Sequence, residues 1–248
     1  MGAPVNSKKN KKSCFYITAI FLAVSIIAIN LAADYHAVMA AVVAVVSQKG
    51  GVGKSTLVRA LSQQACQSSL SVKIADLDTQ QGTASNWHRN RLHRGRPPVG
   101  SVEVFRTARE AIAQADSYDL LILDGAPRAS TATLEVAQGA DLVIQPTGAS
   151  LDDLEPAVLL FHELARAGVA RERLVFALCR IGTEAEAKEA VEYIEEAGYR
   201  VLEGVLYERP AYRQAQNEGL AITETRYKSL NARAERLIEA ITNRLLHG

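Results

Sequence analysis

Gln48-Lys49-Gly50-Gly51-Val52-Gly53-Lys54-Ser55-Thr56 lies between a β-branched run, Val42 to Ser47, and a stretch with the apolar spacing of a helix. A glycine-rich turn that leaves a strand and opens a helix gathers backbone N–H groups at the helix N-terminus, where the helix dipole favours an anion. Gly50, Gly51 and Gly53 let the backbone close around phosphate groups, with Val52 between them. Lys54 would neutralise the β- and γ-phosphates of a nucleotide, the Ser55 hydroxyl would ligate Mg2+, and Thr56 would donate to the α-phosphate. The usual pattern G-x-x-x-x-G-K-[ST] asks for a glycine where Gln48 stands, and a second lysine, Lys49, enters early in the loop.

Outward from this loop, short β-branched runs alternate with amphipathic stretches of helical period from residue 42 onward. That alternation predicts an α/β fold with a mostly parallel, twisted sheet of about seven or eight strands covered by helices. The strands are expected at Val42 to Ser47, Ser71 to Asp76, Val102 to Phe105, Asp119 to Asp124, Asp141 to Gln145, Arg173 to Cys179 and Arg200 to Leu206. Helices are expected from Ser55, Thr83, Thr107, Thr131, Ser150, Glu184 and Pro210, and from Lys228 to about Leu246, several opening on a Ser or Thr suited to capping. No internal repeat or interdomain linker interrupts the pattern, so residues 39–248 read as a single domain.

Acidic residues close two of these strands, at the sheet end where ligands sit in open α/β folds. Asp76-Leu77-Asp78-Thr79-Gln80-Gln81 follows the second strand, and Tyr118-Asp119-Leu120-Leu121-Ile122-Leu123-Asp124 is a hydrophobic run closed by an aspartate, as expected of a Walker B element. Asp124 is expected to hold Mg2+ through water, with Gly125-Ala126-Pro127 as a switch segment. The plainer reading of Asp76 and Asp78 is turn-forming and helix-capping aspartate.

The phosphate loop with its early Lys49 resembles that of the ParA/MinD family of deviant Walker A ATPases. Asp76 to Gln81 is similar to that family's D-x-D-P-Q switch, with Thr79 in place of the proline. The resemblance covers most of residues 40–245. Asn86-Trp87, Leu123 to Arg128 and Asp141 to Asp153 look like the small ParF-like partition ATPases.

By this resemblance Lys49 reaches across an ATP-sandwich dimer to the partner subunit's nucleotide. Asp78 orients the attacking water, and Asp76 supports the metal shell. Glu208 to Arg213, which includes Pro210, lines the adenine side and the dimer edge. The position after the sixth strand, where the family often carries an adenine-contacting Asn, holds Cys179-Arg180 instead.

Composition narrows the partners little. The 248 residues are 48% hydrophobic and 22% charged with a net charge of +1, so any attraction to nucleic acid or acidic lipid must come from a local patch. One candidate is the last helix, with Lys228, Arg233, Arg236 and Arg244; a solvated face explains these bases equally well. Another is Arg89, Arg91, His93, Arg94 and Arg96 beside the first switch. Cys14, Cys66 and Cys179 form no CxxC pair, and His36, His88, His93, His162 and His247 show no ligand spacing. With no G-x-S-x-G or H-E-x-x-H motif either, hydrolysis of ATP is the only chemistry the sequence supports.

Residues 1–38 stand apart. Lys8, Lys9, Lys11 and Lys12 precede an apolar run from Cys14 to Ala33, long enough to cross a bilayer core. Three readings are open: a membrane anchor through residues 14–33, a cleaved signal ending between Ala37 and Ala41, or an upstream extension with translation starting at Met39. Either of the first two in its ordinary orientation would export an ATPase to a place without ATP.

The expected function is an ATP-dependent switch, a homodimer or a higher assembly, that partitions or positions plasmid or chromosomal DNA: it binds DNA nonspecifically, hydrolyses ATP to ADP and phosphate, and is stimulated by a ParB-like centromere-binding partner. Its expected location is cytoplasmic and nucleoid-associated, or inner-membrane tethered if residues 14–33 are an anchor. The alternatives are a MinD-like membrane-surface switch and a conjugation- or secretion-associated relative.

Overall fold

A computed structural model of the chain describes residues 40–126 and 131–247. The expectations for residues 1–38 and for Pro127 lie outside the described residues. Seven strands form one sheet in the order β3-β2-β4-β1-β5-β6-β7: β1 Ala41–Val45, β2 Val72–Asp76, β3 Ser101–Val104, β4 Leu120–Asp124, β5 Leu142–Thr147, β6 Leu174–Ile181 and β7 Arg200–Tyr207. Every pairing is parallel. The connecting helices are α1 Lys54–Gln67, α2 Thr83–His93, α3 Ala108–Ile112, α4 Thr131–Gln138, α5 Leu151–Arg166, α6 Glu184–Glu196, α7 Pro210–Asn217 and α8 Lys228–His247.

Parallel strands covered on both faces need apolar residues on both sides of the pleat, and β1 shows why its sequence is almost unbroken in Val and Ala. Val42, Ala44 and Val46 pack on one face with Leu121, Leu123, Leu154 and Phe161. Val43 and Val45 pack on the other with Leu57, Val58, Ile122 and Ile144. The last helix carries Leu230, Leu237, Ile238, Ile241 and Leu245 at helical spacing, an apolar stripe expected to face the core; Leu237, Ile238 and Ile241 are buried in this second core, and Leu230 and Leu245 pack against it partly buried.

The order of strands positions the site. From β1 the chain lays β2, β3 and β4 to one side and β5, β6 and β7 to the other, so the crevice at the C-terminal ends of the central strands opens at β1. The phosphate loop follows β1 directly. Strand bounds match the expected ones to within a residue or two; Ser71, expected in β2, instead donates its N–H to the Asp119 carboxylate at 2.7 Å.

Candidate nucleotide site

The loop from Gln48 to Gly53 is shaped by glycine where nothing else fits. Gly53 precedes α1 with φ +116°, a conformation that side chains rarely adopt, and a Cβ there would crowd the Cys179 Cβ at 3.2 Å. Gly51 has φ +76°. Lys54 is buried and folds back on the loop, its Nζ donating to the Lys49 carbonyl at 3.1 Å. Burial lowers the Lys54 pKa, and the carboxylates of Asp124 and Asp78 counter that effect. A desolvated ammonium held against the loop's backbone is suited to meet phosphate oxygens.

Three of the expected acidic and hydroxyl groups converge beside it. Asp76 and Asp124 are register neighbours on β2 and β4, and Asp124 is also paired in register with Val45 at the end of β1. The Asp124 carboxyl is fully buried, and burial pushes its pKa up to about 7; a hydrogen bond from Ser55 opposes this, and Asp76 reinforces it. One oxygen of Asp124, Oδ1, is buried without a hydrogen-bond partner.

That unpartnered oxygen beside a serine hydroxyl is the donor set a hard cation takes, and it fits Mg2+. Among the described residues no group of three or more His, Cys, Asp or Glu side chains is placed to hold a metal. A divalent ion here would therefore be shared by Asp124, Ser55, water and the nucleotide's own oxygens, as Mg2+ commonly is.

Asp76 and Asp78 are also doing the capping work of the plainer reading. The Asp76 carboxylate accepts from the N–H of Asp78 at 3.2 Å and of Ser85 at 3.0 Å, tying the first switch to the first turn of α2. Asp78 Oδ1 accepts from the N–H of Gln80 and Gln81 at 3.3 and 3.1 Å. Asp76 thus supports the site from behind Asp124, and Asp78 sits half-exposed at the loop's bend.

Lys49 is exposed, and its Nζ lies 2.6 Å from Asp153 Oδ1 in the first turn of α5. A cleft of about 390 Å³ lies beside the loop, lined by Val52, Gly148, Ala149, Ser150, Asp153, Arg180 and Glu186. Pro210 takes the first position of α7, where its missing N–H costs nothing. The nearby Glu208 is linked to the phosphate loop: its Oε2 accepts from Arg180 Nε at 3.1 Å, and Arg180 donates to the Gly51 carbonyl at 3.0 Å.

The sequence gives no sign of a further junction beneath the loop. Arg59 on α1 is buried, donates to the Thr83 carbonyl at 2.8 Å and to Gln216 Oε1 at 2.9 Å, and lies 5.2 Å from the Trp87 ring centroid. Gln216 Oε1 also accepts from the Thr56 hydroxyl at 3.2 Å. One side chain thereby joins the phosphate-loop helix, the first switch helix and α7. Burial lowers the Arg59 pKa to about 10 against the pull of Asp124 and Asp76.

Of the expected basic cluster beside the first switch, Arg91 is not at the surface. It is buried, with both terminal nitrogens on Glu224 at 2.6 and 2.9 Å and further bonds to the carbonyls of Pro97 and Gly219. Arg89, His93 and Arg94 are exposed. On α8, Lys228, Arg233 and Arg236 are exposed, whereas Arg244 is half-buried and donates to the Glu172 carbonyl.

A parallel sheet opening at a phosphate loop, with two strand-end aspartates behind it, defines a P-loop nucleotide-binding protein. The chain belongs to the family described as the CobQ/CobB/MinD/ParA nucleotide binding domain, whose model matches residues 43–222. No curated protein matches the sequence. Among solved structures it is similar to the septum site-determining protein MinD of Pyrococcus horikoshii complexed with Mg-ADP. That match has a TM-score of 0.66 and 19% identity over 82% of this chain and 96% of the other. An ATP complex of Cyanothece McdA has a TM-score of 0.60 and 16% identity over 82% and 97% of the two chains. A ParA family ATPase from Chlorobium tepidum has a TM-score of 0.54 and 16% identity over 84% and 99%. At these identities the likeness is one of fold.

Proposed function

We propose that the chain is an Mg-ATP-dependent dimerising switch that positions DNA by binding it nonspecifically when ATP is held and releasing it on hydrolysis. The observation that carries this reading is the pairing of two lysines in one loop. Lys54 is buried against the loop's own backbone, while Lys49 is exposed with its ammonium on Asp153. A buried lysine serves the chain's own nucleotide. An exposed one at the rim is free to be exchanged for a partner's phosphate, which couples occupancy to dimerisation.

In this reading the loop N–H groups and Lys54 bind the phosphates, and Thr56 exchanges Gln216 for a phosphate oxygen. Asp124 and Ser55 would hold Mg2+, which supplies charge neutralisation at the β- and γ-phosphates. Asp78 turns from its own loop amides to orient water for attack on the γ-phosphate. Lys54, Thr56 and Asp78 each already make a replaceable bond in the structure, which favours a slow switch over a fast hydrolase.

DNA is the preferred cargo because the apolar face of α8 is spent on the core, leaving Lys228, Arg233 and Arg236 outside. A MinD-like membrane role through this helix would need that apolar face free. A ParB-like partner would stimulate hydrolysis, and the protein would work in the cytoplasm on the nucleoid, with residues 1–38 dispensable. Sedimentation of the full chain with ATP, ADP or no nucleotide tests the switch. A dimer seen only with ATP and lost in Lys54→Ala is the expected result, and a nucleotide-independent oligomeric state would overturn it.

A further inference from the structure

Arg180 has the backbone of a residue that something is forcing into place. Its φ is +59°, a left-handed conformation that side chains with a Cβ rarely adopt. It is the extra residue of a bulge, since Cys179 and Ile181 on β6 oppose the consecutive Leu206 and Tyr207 on β7. Bulges beside functional sites re-aim a side chain, and this one turns Arg180 away from the sheet toward the phosphate loop.

There its guanidinium spans two anchors. Nε donates to Glu208 Oε2 at 3.1 Å, and a terminal nitrogen donates to the Gly51 carbonyl at 3.0 Å. Glu208 is fixed in turn: its N–H donates to the Ile181 carbonyl at 2.8 Å, and its other oxygen pairs with Arg213 at 3.3 Å.

We propose that Arg180 is a positioning residue that presets the phosphate cradle by pinning the Gly51 carbonyl outward. The carbonyl of Gly51 and the N–H of Val52 share one planar trans peptide, so they point in opposite directions. Holding the oxygen on Arg180 turns the Val52 N–H to the opposite side of the peptide and leaves it free to donate to a phosphate. A cation on that oxygen also polarises the peptide and strengthens the N–H as a donor. Gly51 is exposed and, as glycine, has the most backbone freedom to lose when a ligand orders the loop. Arg180 removes that freedom in advance, together with Lys54, which holds the carbonyl of Lys49, two residues before Gly51. The strained backbone is then the cost of placing a guanidinium where an ordinary strand residue would face the other way.

The proposal rests on the loop being the nucleotide site, and its test separates the two. The full chain and its Arg180→Ala, Arg180→Lys and Glu208→Gln variants are titrated calorimetrically with Mg-ATP, Mg-ADP and Mg-GTP, and steady-state hydrolysis is measured alongside. A preset cradle serves every nucleotide alike. Arg180→Ala is therefore expected to weaken ATP, ADP and GTP by the same factor, about tenfold for a lost charge-assisted hydrogen bond. KM for ATP should rise and kcat stay within about twofold, the mark of lost uniform binding.

Arg180→Lys keeps a cation and should recover part of the loss. Glu208→Gln leaves the guanidinium in place with one anchor and should lose less than Arg180→Ala. Weakening of ATP alone would place Arg180 on the γ-phosphate and overturn the proposal, as would a change in ATP over GTP preference, which would place it on the base. Unchanged affinities, or a lower melting temperature without any change in affinity, would also overturn it. Failure of the unmutated chain to bind any of the three would instead overturn the nucleotide reading itself.

Discussion

Lys49 and Asp153, 104 residues apart in the chain, are joined by a 2.6 Å ion pair between the phosphate loop and the first turn of α5. The Lys49 side chain is 45% exposed, so the pair is solvent-screened and stabilises the fold little. Its consequence lies in what Lys49 is prevented from doing. A lysine held by its own chain is withheld from a partner until something better competes for it.

Asp153→Asn should therefore leave folding stability within about 1 kcal/mol of the parent while lowering the ATP concentration for half-maximal dimerisation by roughly two- to fivefold, the range of an exposed ion pair. Light scattering across an ATP titration reads this directly. A weaker ATP response in Asp153→Asn would mean that Asp153 assists dimerisation.

Gly53→Ala should abolish nucleotide binding, because the new Cβ meets Cys179 at 3.2 Å on a backbone with φ +116°. Cys179→Ala placed on top should not restore it, since the dihedral cost remains after the neighbour is trimmed and the Cβ of residue 179 stays in place. Fluorescent-nucleotide titration of the single and double variants distinguishes the two costs.

The fold and the phosphate loop were legible in the sequence for local reasons. The β1 run alternates into two cores, and the loop's chemistry is contained in nine consecutive residues. Arg59 and Arg180 were not legible, because their roles depend on pairings far along the chain. Arg59 matters only once α2 and α7 are packed against α1, and nothing in Lys54 to Gln67 marks it. Arg180 acquires its direction from the register of β6 on β7, which no local pattern encodes. Arg91 misled for the same reason, since Glu224 lies 133 residues away from it.

Arg59→Met should destabilise the protein by roughly 2 kcal/mol, the size expected when buried partners lose a charged donor, even though the methionine fills most of the space. Gln216→Ala leaves Arg59 its bond to Thr83 and should cost less. Urea unfolding of both variants and of the double variant gives the coupling energy; additive effects would show that Arg59 and Gln216 do not act as one junction.

Acid should loosen α2. Burial, and then the neighbouring Arg91 guanidinium, lowers the His88 pKa below its ordinary 6.5, and its Nε2 is buried without a partner. The unfolded chain thus holds the proton more tightly than the folded one. The neutral-histidine contribution is complete above pH 6.5 and is lost as pH falls through that value toward the folded pKa. In His88→Gln the stability curve should be flatter between about pH 7 and pH 5, and the difference between the two curves isolates this group; parallel curves would contradict it.

The most direct test of the account is binding of the full chain to nonspecific duplex DNA and to anionic liposomes, with ATP, ADP and no nucleotide. Lys54→Ala and Asp78→Ala serve as controls. DNA binding is expected only with ATP, weakened by salt, absent in Lys54→Ala and prolonged in Asp78→Ala. Binding to liposomes without binding to DNA would contradict it and assign the switch to a membrane surface.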